Sequence, residues 1–384
     1  MLQSKPQKIY FPGLNGLRFI SALAVVITHI ELMKGKLGYE NLWLDPLFHQ
    51  LGGLGVSFFF VLSGFLITFL LVKEKNQNGY FSIKNFYIRR VFRIWPLYYL
   101  IFFLGFFIIP NFSFFEIPFF THSFSNNYWL NFICYFLLLP NLAFSIFSPV
   151  PLIGQSWSIG VEEQFYIFWP ILLRRFKKIN IKSLVFFFSS IVLFKLVILI
   201  ICFFLESNFL ISLKKFVAMT KFENMIIGAM GAILITEKNN FFLNLIYHPL
   251  VLSLSLIGIF ALIYVPSDLA HDGMHIINSL FFLVIILNVA TNENSFLKLE
   301  NKFLNFLGSI SYGIYMYHFI IIFIVIKMMA YFRIFVSFNF LQNIILYSAI
   351  IILTISISFI SYHLFEKRFL KLKLKYSNFT SHDA

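Results

Sequence analysis

From Leu184 to Leu205 the chain runs through 22 residues with a single charge, Lys195. A helix needs about 20 mostly apolar residues to cross a bilayer's hydrocarbon core, and nine further stretches read the same way. The predicted spans are 14–33, 54–72, 94–110, 158–173, 184–205, 223–236, 248–266, 275–291, 304–330 and 340–364. Composition agrees, because 59% of the 384 residues are apolar and only 12% charged, about half the usual charged share of a soluble domain. Soluble domains of this length could not cover their surface with so little charge. The expected fold class is therefore all-α, a polytopic membrane bundle of about ten helices.

Basic residues orient such a bundle, because they collect in cytoplasmic loops. With the N-terminus inside, 21 of the 30 lysines and arginines fall on the inner side and seven on the outer. The largest inner groups are 73–93, with Arg89, Arg90 and Arg93, and 174–182, with Arg174 and Arg175. Both termini are thus expected in the cytoplasm. This also explains most of the net charge of +14 without nucleic acid, and leaves membrane lipid as the partner. Arg18 and His29 inside the first span, with no small-residue cleavage site after it, argue against a cleaved signal peptide. Residues 111–157 read as a long outer excursion, with the apolar run 128–140 dipping into the membrane and lining an outward cavity. Pro110, Pro118, Pro140, Pro149 and Pro151 break helices along it. The organisation expected is an integral-membrane domain over 1–370 and a short polar cytoplasmic tail over 371–384. Cys134 and Cys202 lie far apart in apolar segments and show no metal-ligand spacing. They read as small buried residues, and no metal is expected.

An ionisable group inside a span costs a few kcal/mol on insertion scales, so it needs a partner or a task. Arg18 and His29 are eleven residues apart, which at about 100° per residue returns to within about 20° of one face, some ~16 Å along the axis. Snorkelling accounts equally for Arg18, and a helix-packing hydrogen bond for His29. Arg90 and Arg93 share a helix face. Their guanidinium forks suit phosphate, and with Trp95, Tyr98 and Tyr99 nearby they also suit an interfacial anchor. In Ser156-Trp-Ser-Ile-Gly-Val-Glu-Glu-Gln-Phe-Tyr166, two adjacent carboxylates open a span. The helix dipole explains Glu162, and Glu163, one step deeper, is the better candidate for chemistry. Finally, His318 ends Ser311-Tyr-Gly-Ile-Tyr-Met-Tyr-His318, a tyrosine-rich stripe within the ninth span.

Taken together, Gly13-Leu-Asn-Gly-Leu-Arg18 running on to His29, Phe58-Phe-Phe-Val-Leu-Ser63-Gly-Phe-Leu-Ile67, Arg90-Val-Phe-Arg93 and the two stretches just quoted resemble the integral-membrane acyltransferase 3 family. The resemblance covers about residues 10–370, with five motifs in the family's order. It departs at Asn15, where the family commonly has Asp, and no hydrolase-like second domain follows the bundle, so acceptor delivery is expected from the bundle or a partner.

The resemblance implies a bundle that moves an acyl group, usually acetyl, from cytoplasmic acyl-CoA to a hydroxyl of an exported or cell-surface glycan, in the bacterial cytoplasmic (inner) membrane. The acceptor would be a glycan or lipid-linked saccharide. Its Arg-(ten residues)-His motif falls on Arg18 and His29, and its Arg-x-x-Arg motif on Arg90 and Arg93. On that reading Arg18, Arg90 and Arg93 hold the donor's phosphates, His29 is a general base toward the hydroxyl, and Glu163 orients or charge-balances the imidazole. His29 or Ser63 as a transient acyl carrier is the covalent variant, although a Ser-Gly step equally serves close helix packing. Two other function classes share many of these features. A transporter or flippase would also bury charges, but no inverted repeat is visible; a non-enzymatic glycan-assembly subunit would use the tyrosines and arginines as an interface.

Overall fold

The computed structural model describes residues 7–117, 124–176, 179–205, 207–265, 273–332, 340–376 and 379–380. Lys5, Lys177, Lys178 and Arg333, counted for orientation, lie outside them, as does Pro118. The fold is helical. In chain order the helices are α1 (Leu14–Lys36), α2 (Pro46–Asn78), α3 (Ile83–Phe103), α4 (Tyr128–Phe136), α5 (Pro140–Ile146), α6 (Trp157–Arg175), α7 (Ile181–Phe204) and α8 (Asn208–Met219). They continue with α9 (Phe222–Thr236), α10 (Asn240–Tyr247), α11 (Pro249–Ile263), α12 (Met274–Thr291), α13 (Lys302–Ser309), α14 (Ser311–Tyr331), α15 (Phe340–Ser361) and α16 (Lys367–Leu374).

Over their described residues the ten expected spans fall largely on helix, Pro266 at the end of the seventh lying outside them, and among the described residues eight helical segments are long and apolar enough to cross a membrane. A ninth candidate is α10 with α11, bent by 62° between them. The segment at 158–173 is helical in α6 but is not among these, since Glu162, Glu163, Arg174 and Arg175 lower its hydropathy. The apolar run at 128–140 is no span either. It forms the nine-residue α4, too short to cross, and α5 then starts at Pro140. A two-residue parallel pairing of Gln7–Lys8 with Phe379–Thr380 brings the two ends of the chain to one face of the bundle.

Small residues set the tightest helix contact. A Cβ on Gly64 would overlap the Met225 carbonyl, and one on Gly228 the Val61 carbonyl, so α2 and α9 meet backbone to backbone. That contact fixes the face of α2 on which Ser63 lies. By contrast α7 leaves Phe186, Leu193, Phe194, Phe203 and Phe204 on the outside, the surface of a helix bathed in lipid. Lys195, the charge that interrupted the opening run, reaches Glu223 on α9 at 2.7 Å, and Glu223 is also 2.7 Å from His275 on α12. The lone cation is thus matched within the bundle, as an intramembrane charge must be. A second buried pair closes α1, where Lys34 donates to Glu31 at 2.9 Å and Tyr347 of α15 donates to the same carboxylate.

The bundle's C-terminal side is built into the structure as well. From α15 the chain passes through a π-helical turn, Tyr362–Glu366, into α16, which packs on α3. The helix runs across residue 371, where the sequence suggests a tail, and Leu370 is buried beneath it.

Candidate functional site

α1 starts at Gly13, whose φ of +70° is the left-handed region that glycine tolerates best. Its N–H donates to Glu300 at 2.7 Å. One turn on, a Cβ at Gly16 would stand 2.8 Å from the Leu299 carbonyl oxygen. These approaches seat the start of α1 against the segment before α13 and set the direction of Arg18, which donates to Asn15 Oδ1 at 2.9 Å.

Arg18 lines a cavity of about 230 Å³ between α1, α2, α3, α6, α14 and α16. Five cationic side chains, Arg18, Arg89, Arg90, Arg93 and Lys373, face it against two carboxylates, Glu74 and Glu162. Ser82 caps the start of α3 by accepting from the Asn85 N–H at 3.2 Å, and the following turns carry the three arginines. Arg89 is held by Glu74 at 3.3 Å and donates to the Tyr376 carbonyl at 2.8 Å. The Arg90 guanidinium lies over the rings of Phe86 and Tyr166, 5.5 and 5.4 Å from their centroids, within cation–π range of both. Its buried Nε has no hydrogen-bond partner. Apolar side chains of α2, including Phe59, Phe60, Leu70 and Leu71, form much of the remaining wall.

On the same cavity, Ser63 donates to Glu162 Oε1 at 2.9 Å, and Tyr166 lies 2.9 Å from Glu162 Oε2 and 3.1 Å from Ser63 Oγ. Opposite them on α14, Tyr312 donates to the Ile94 carbonyl at 2.9 Å, while the Tyr315 hydroxyl is 2.7 Å from Ser158 and 2.9 Å from the Gln155 carbonyl. Tyr315 is also the link to the histidines. Its own carbonyl oxygen is 2.6 Å from Nδ1 of His318, one turn further along α14, and Nε2 of His318 is 2.7 Å from Nδ1 of His29. His318 is fully buried, and Phe319 packs edge-on against His29 with centroids 4.6 Å apart.

Of the residues singled out in the sequence, Arg18, Arg90 and Arg93 come together on one cavity. His29 lies beyond Tyr315 and does not line it, nor does Glu163. The hydrogen bond of Glu163 goes to the Trp95 indole N–H at 3.1 Å, and its other oxygen is buried without a partner. It is the adjacent Glu162, read from the sequence as a dipole-favoured helix start, that faces the cavity. Sequence reasoning also passed over Glu74, Arg89 and Lys373 as members of the site. Arg89 adjoins the Arg-x-x-Arg motif and could have been suspected; Glu74 and Lys373 carry no local signal. Among the described residues no group of three or more His, Cys, Asp or Glu side chains could hold a metal ion. Chemically, the arrangement offers a polyanion a cationic mouth, an apolar body a channel wall, and a reacting group a buried imidazole pair.

Comparison with known proteins bears on the same residues. O-acetyltransferase OatA of Staphylococcus aureus (strain NCTC 8325 / PS 47) is 28% identical over 342 residues, 82% of this chain and 51% of that protein. Peptidoglycan O-acetyltransferase OatA of Listeria monocytogenes serovar 1/2a (strain ATCC BAA-679 / EGD-e) is 32% identical over 179 residues, 44% of this chain and 25% of that protein. The chain spans about half the length of the curated relatives that it matches over most of its residues. No solved structure matches it. The family profile described as "Acyltransferase domain" matches residues 11–363, which include every cavity residue named above except Lys373, and the chain belongs to this acyltransferase 3 family.

Proposed function

We propose that the protein transfers an acyl group, acetyl in the first instance, from acyl-CoA to a hydroxyl of an exported or cell-surface glycan or lipid-linked saccharide. The membrane would be the bacterial cytoplasmic membrane, with the arginine cavity open to the cytoplasm. One observation supports the reading: a cavity lined by five cations against two carboxylates shares Tyr315 with a hydrogen-bonded histidine pair, which that residue's backbone carbonyl touches. Coenzyme A is polyanionic at its nucleotide end and uncharged along its pantetheine arm, and the cavity offers both the cations and the apolar wall that such a donor needs. The names of the relatives support acetyl as the group and a glycan as the acceptor.

In the proposed reaction Arg18, Arg90 and Arg93 bind the donor's phosphates through charge-assisted hydrogen bonds. Glu162, held by Ser63 and Tyr166, stands along the arm. His29 takes the proton of the acceptor hydroxyl as the acyl–oxygen bond forms and the acyl–sulfur bond breaks, and that proton passes to the departing thiolate. Glu163 acts at one remove, by fixing Trp95 on α3 next to the arginines.

Labelled acetyl-CoA supplied to membranes containing the protein tests this. Covalent label on glycan, lost in His29→Ala and in Arg90→Ala at matched protein levels, is the expected result. Uptake of label without modification would mean a carrier instead, and neither outcome a scaffold. Full transfer by a folded His29→Ala variant would remove the assignment of the base.

A further inference from the structure

A histidine serves as a base only through the ring nitrogen that carries no proton, so the tautomer of His29 decides which atom does the chemistry. The fold constrains it from the far end of a chain of three groups. A backbone carbonyl can only accept a hydrogen bond. His318 Nδ1, 2.6 Å from the Tyr315 carbonyl oxygen, must therefore carry a hydrogen, and in neutral His318 the other nitrogen, Nε2, is then bare. That bare nitrogen faces His29 Nδ1 at 2.7 Å.

The ring geometry fits a true hydrogen bond. The two planes are within 9° of each other, yet the centroids are 5.0 Å apart, almost twice the N···N distance. Rings so placed meet edge to edge in a common plane, with the donor hydrogen and the lone pair directed at each other. If His29 carried its proton on Nε2 instead, two lone pairs would be pressed together at 2.7 Å in a buried place. The Phe319 edge against the imidazole opposes a ring flip that would relieve them.

We infer that His318 is a positioning residue that fixes the tautomer of His29, holding the proton on Nδ1 and leaving Nε2 as the bare, reactive nitrogen. The inference rests on the reading of His29 as general base, and it names the atom: Nε2 receives the hydroxyl proton. During that step the Nδ1–H···Nε2 bond to His318 stabilises the imidazolium that forms on His29, since His318 offers its Nδ1–H a lone pair. Tyr315 takes part in the relay through its backbone carbonyl. His318 and Tyr315 lie one turn apart on α14, and α14 packs along α1.

Magic-angle-spinning NMR of the full chain, labelled with ¹⁵N-histidine and reconstituted in lipid vesicles, reads the tautomers directly. The signals of His29 and His318 are assigned by their loss in His29→Gln and His318→Gln. Both residues should be protonated at Nδ1 and bare at Nε2, and in His318→Phe a population of His29 protonated at Nε2 should appear. In transfer assays His318→Gln, whose side-chain carbonyl can accept from His29 Nδ1–H, should run at least ~10-fold faster than His318→Phe with the same donor KM, a fraction of the about 10⁴-fold that a wrong tautomer costs in the serine-protease triad. A wild-type His29 bearing its proton on Nε2 would overturn the inference, and so would equal rates for the Gln and Phe variants. An active His29→Ala variant would instead overturn the base reading beneath it, whatever the spectrum shows. The wild-type spectrum stands by itself should the Phe variant fail to fold.

Discussion

Ser63 on α2 donates a 2.9 Å hydrogen bond to Glu162 on α6, and this contact brings the first of two adjacent carboxylates, and not the second, onto the cavity. Neutralising each glutamate in turn separates their roles. Glu162→Gln places an amide N–H₂ where two hydroxyls now converge and removes one of the two carboxylates that line the cavity among the described residues, so transfer should fall by about 10²-fold, the usual scale for one acid–base or electrostatic group. Glu163→Gln keeps an oxygen for the Trp95 indole and should cost less than about 10-fold. Initial rates of label transfer in membranes with matched protein amounts decide between them; equal losses would mean that the cavity-facing position is immaterial.

A second prediction separates charge from shape at Arg90. Its guanidinium lies against the rings of Phe86 and Tyr166, which stand at 86° to each other, and a lysine ammonium is a poor copy of it there, because it is a compact, strongly hydrated point charge without the guanidinium's fork of donors. Arg90→Lys should therefore behave nearly like Arg90→Ala, each raising the KM for acyl-CoA by about 10-fold or more, which corresponds to roughly 1.4 kcal/mol or more. Titrating donor against initial rate checks it. A lysine variant with the wild-type KM would show that net charge alone holds the donor.

The difference between these two sites reflects what a sequence can and cannot encode locally. Span positions follow from run length, and the described residues of all ten stretches, including the one led by Leu184, lie largely on helix. The Arg18–His29 and Arg90–Arg93 pairs follow from helical periodicity within one element. Which of Glu162 and Glu163 faces inward depends on the rotation of α6, and that is set from outside it: Pro140 and Asn141 of α5 close on Gly160, and Asn141 and Gln164 exchange hydrogen bonds of 3.1 and 2.9 Å. Depth along the helix, the criterion that favoured Glu163, is the wrong coordinate for that question. Likewise Lys195 finds Glu223 28 residues away on another helix, and His29 finds His318 at a separation of 289. No pattern within either segment records such meetings.

The α2–α9 crossing gives a prediction about stability alone. Gly64 and Gly228 each lie against a carbonyl of the other helix, so Gly64→Ala must push the helices apart or bend them. Overpacking of this kind costs about 1–3 kcal/mol. Gly53, on the same helix α2, has open space where its Cβ would stand, and Gly53→Ala should leave stability unchanged or slightly raised through helix propensity. Thermal denaturation of the two variants in one detergent measures the contrast. A Gly64→Ala protein as stable as Gly53→Ala would show that the backbone contact relaxes at no cost.

The last prediction concerns α16, which the sequence alone suggests is partly tail. Lys373 lines the cavity with the three arginines of α3, and Arg89 donates to the Tyr376 carbonyl just after α16, so the C-terminal segment forms part of the cavity's cationic wall. Lys373 lines the cavity, whereas His29 and His318 lie outside its lining. Reversing its charge should therefore weaken donor capture and leave the chemical step alone. Lys373→Glu is expected to raise the KM for acyl-CoA several-fold with kcat nearly constant, and added salt should shrink the difference between variant and wild type, because charges near the mouth are screened. Uniform binding lost in this way appears in KM and not in kcat. If kcat fell instead, with KM unchanged, α16 would be acting on the reacting centre through α3, and its place in the donor mouth would have to be given up.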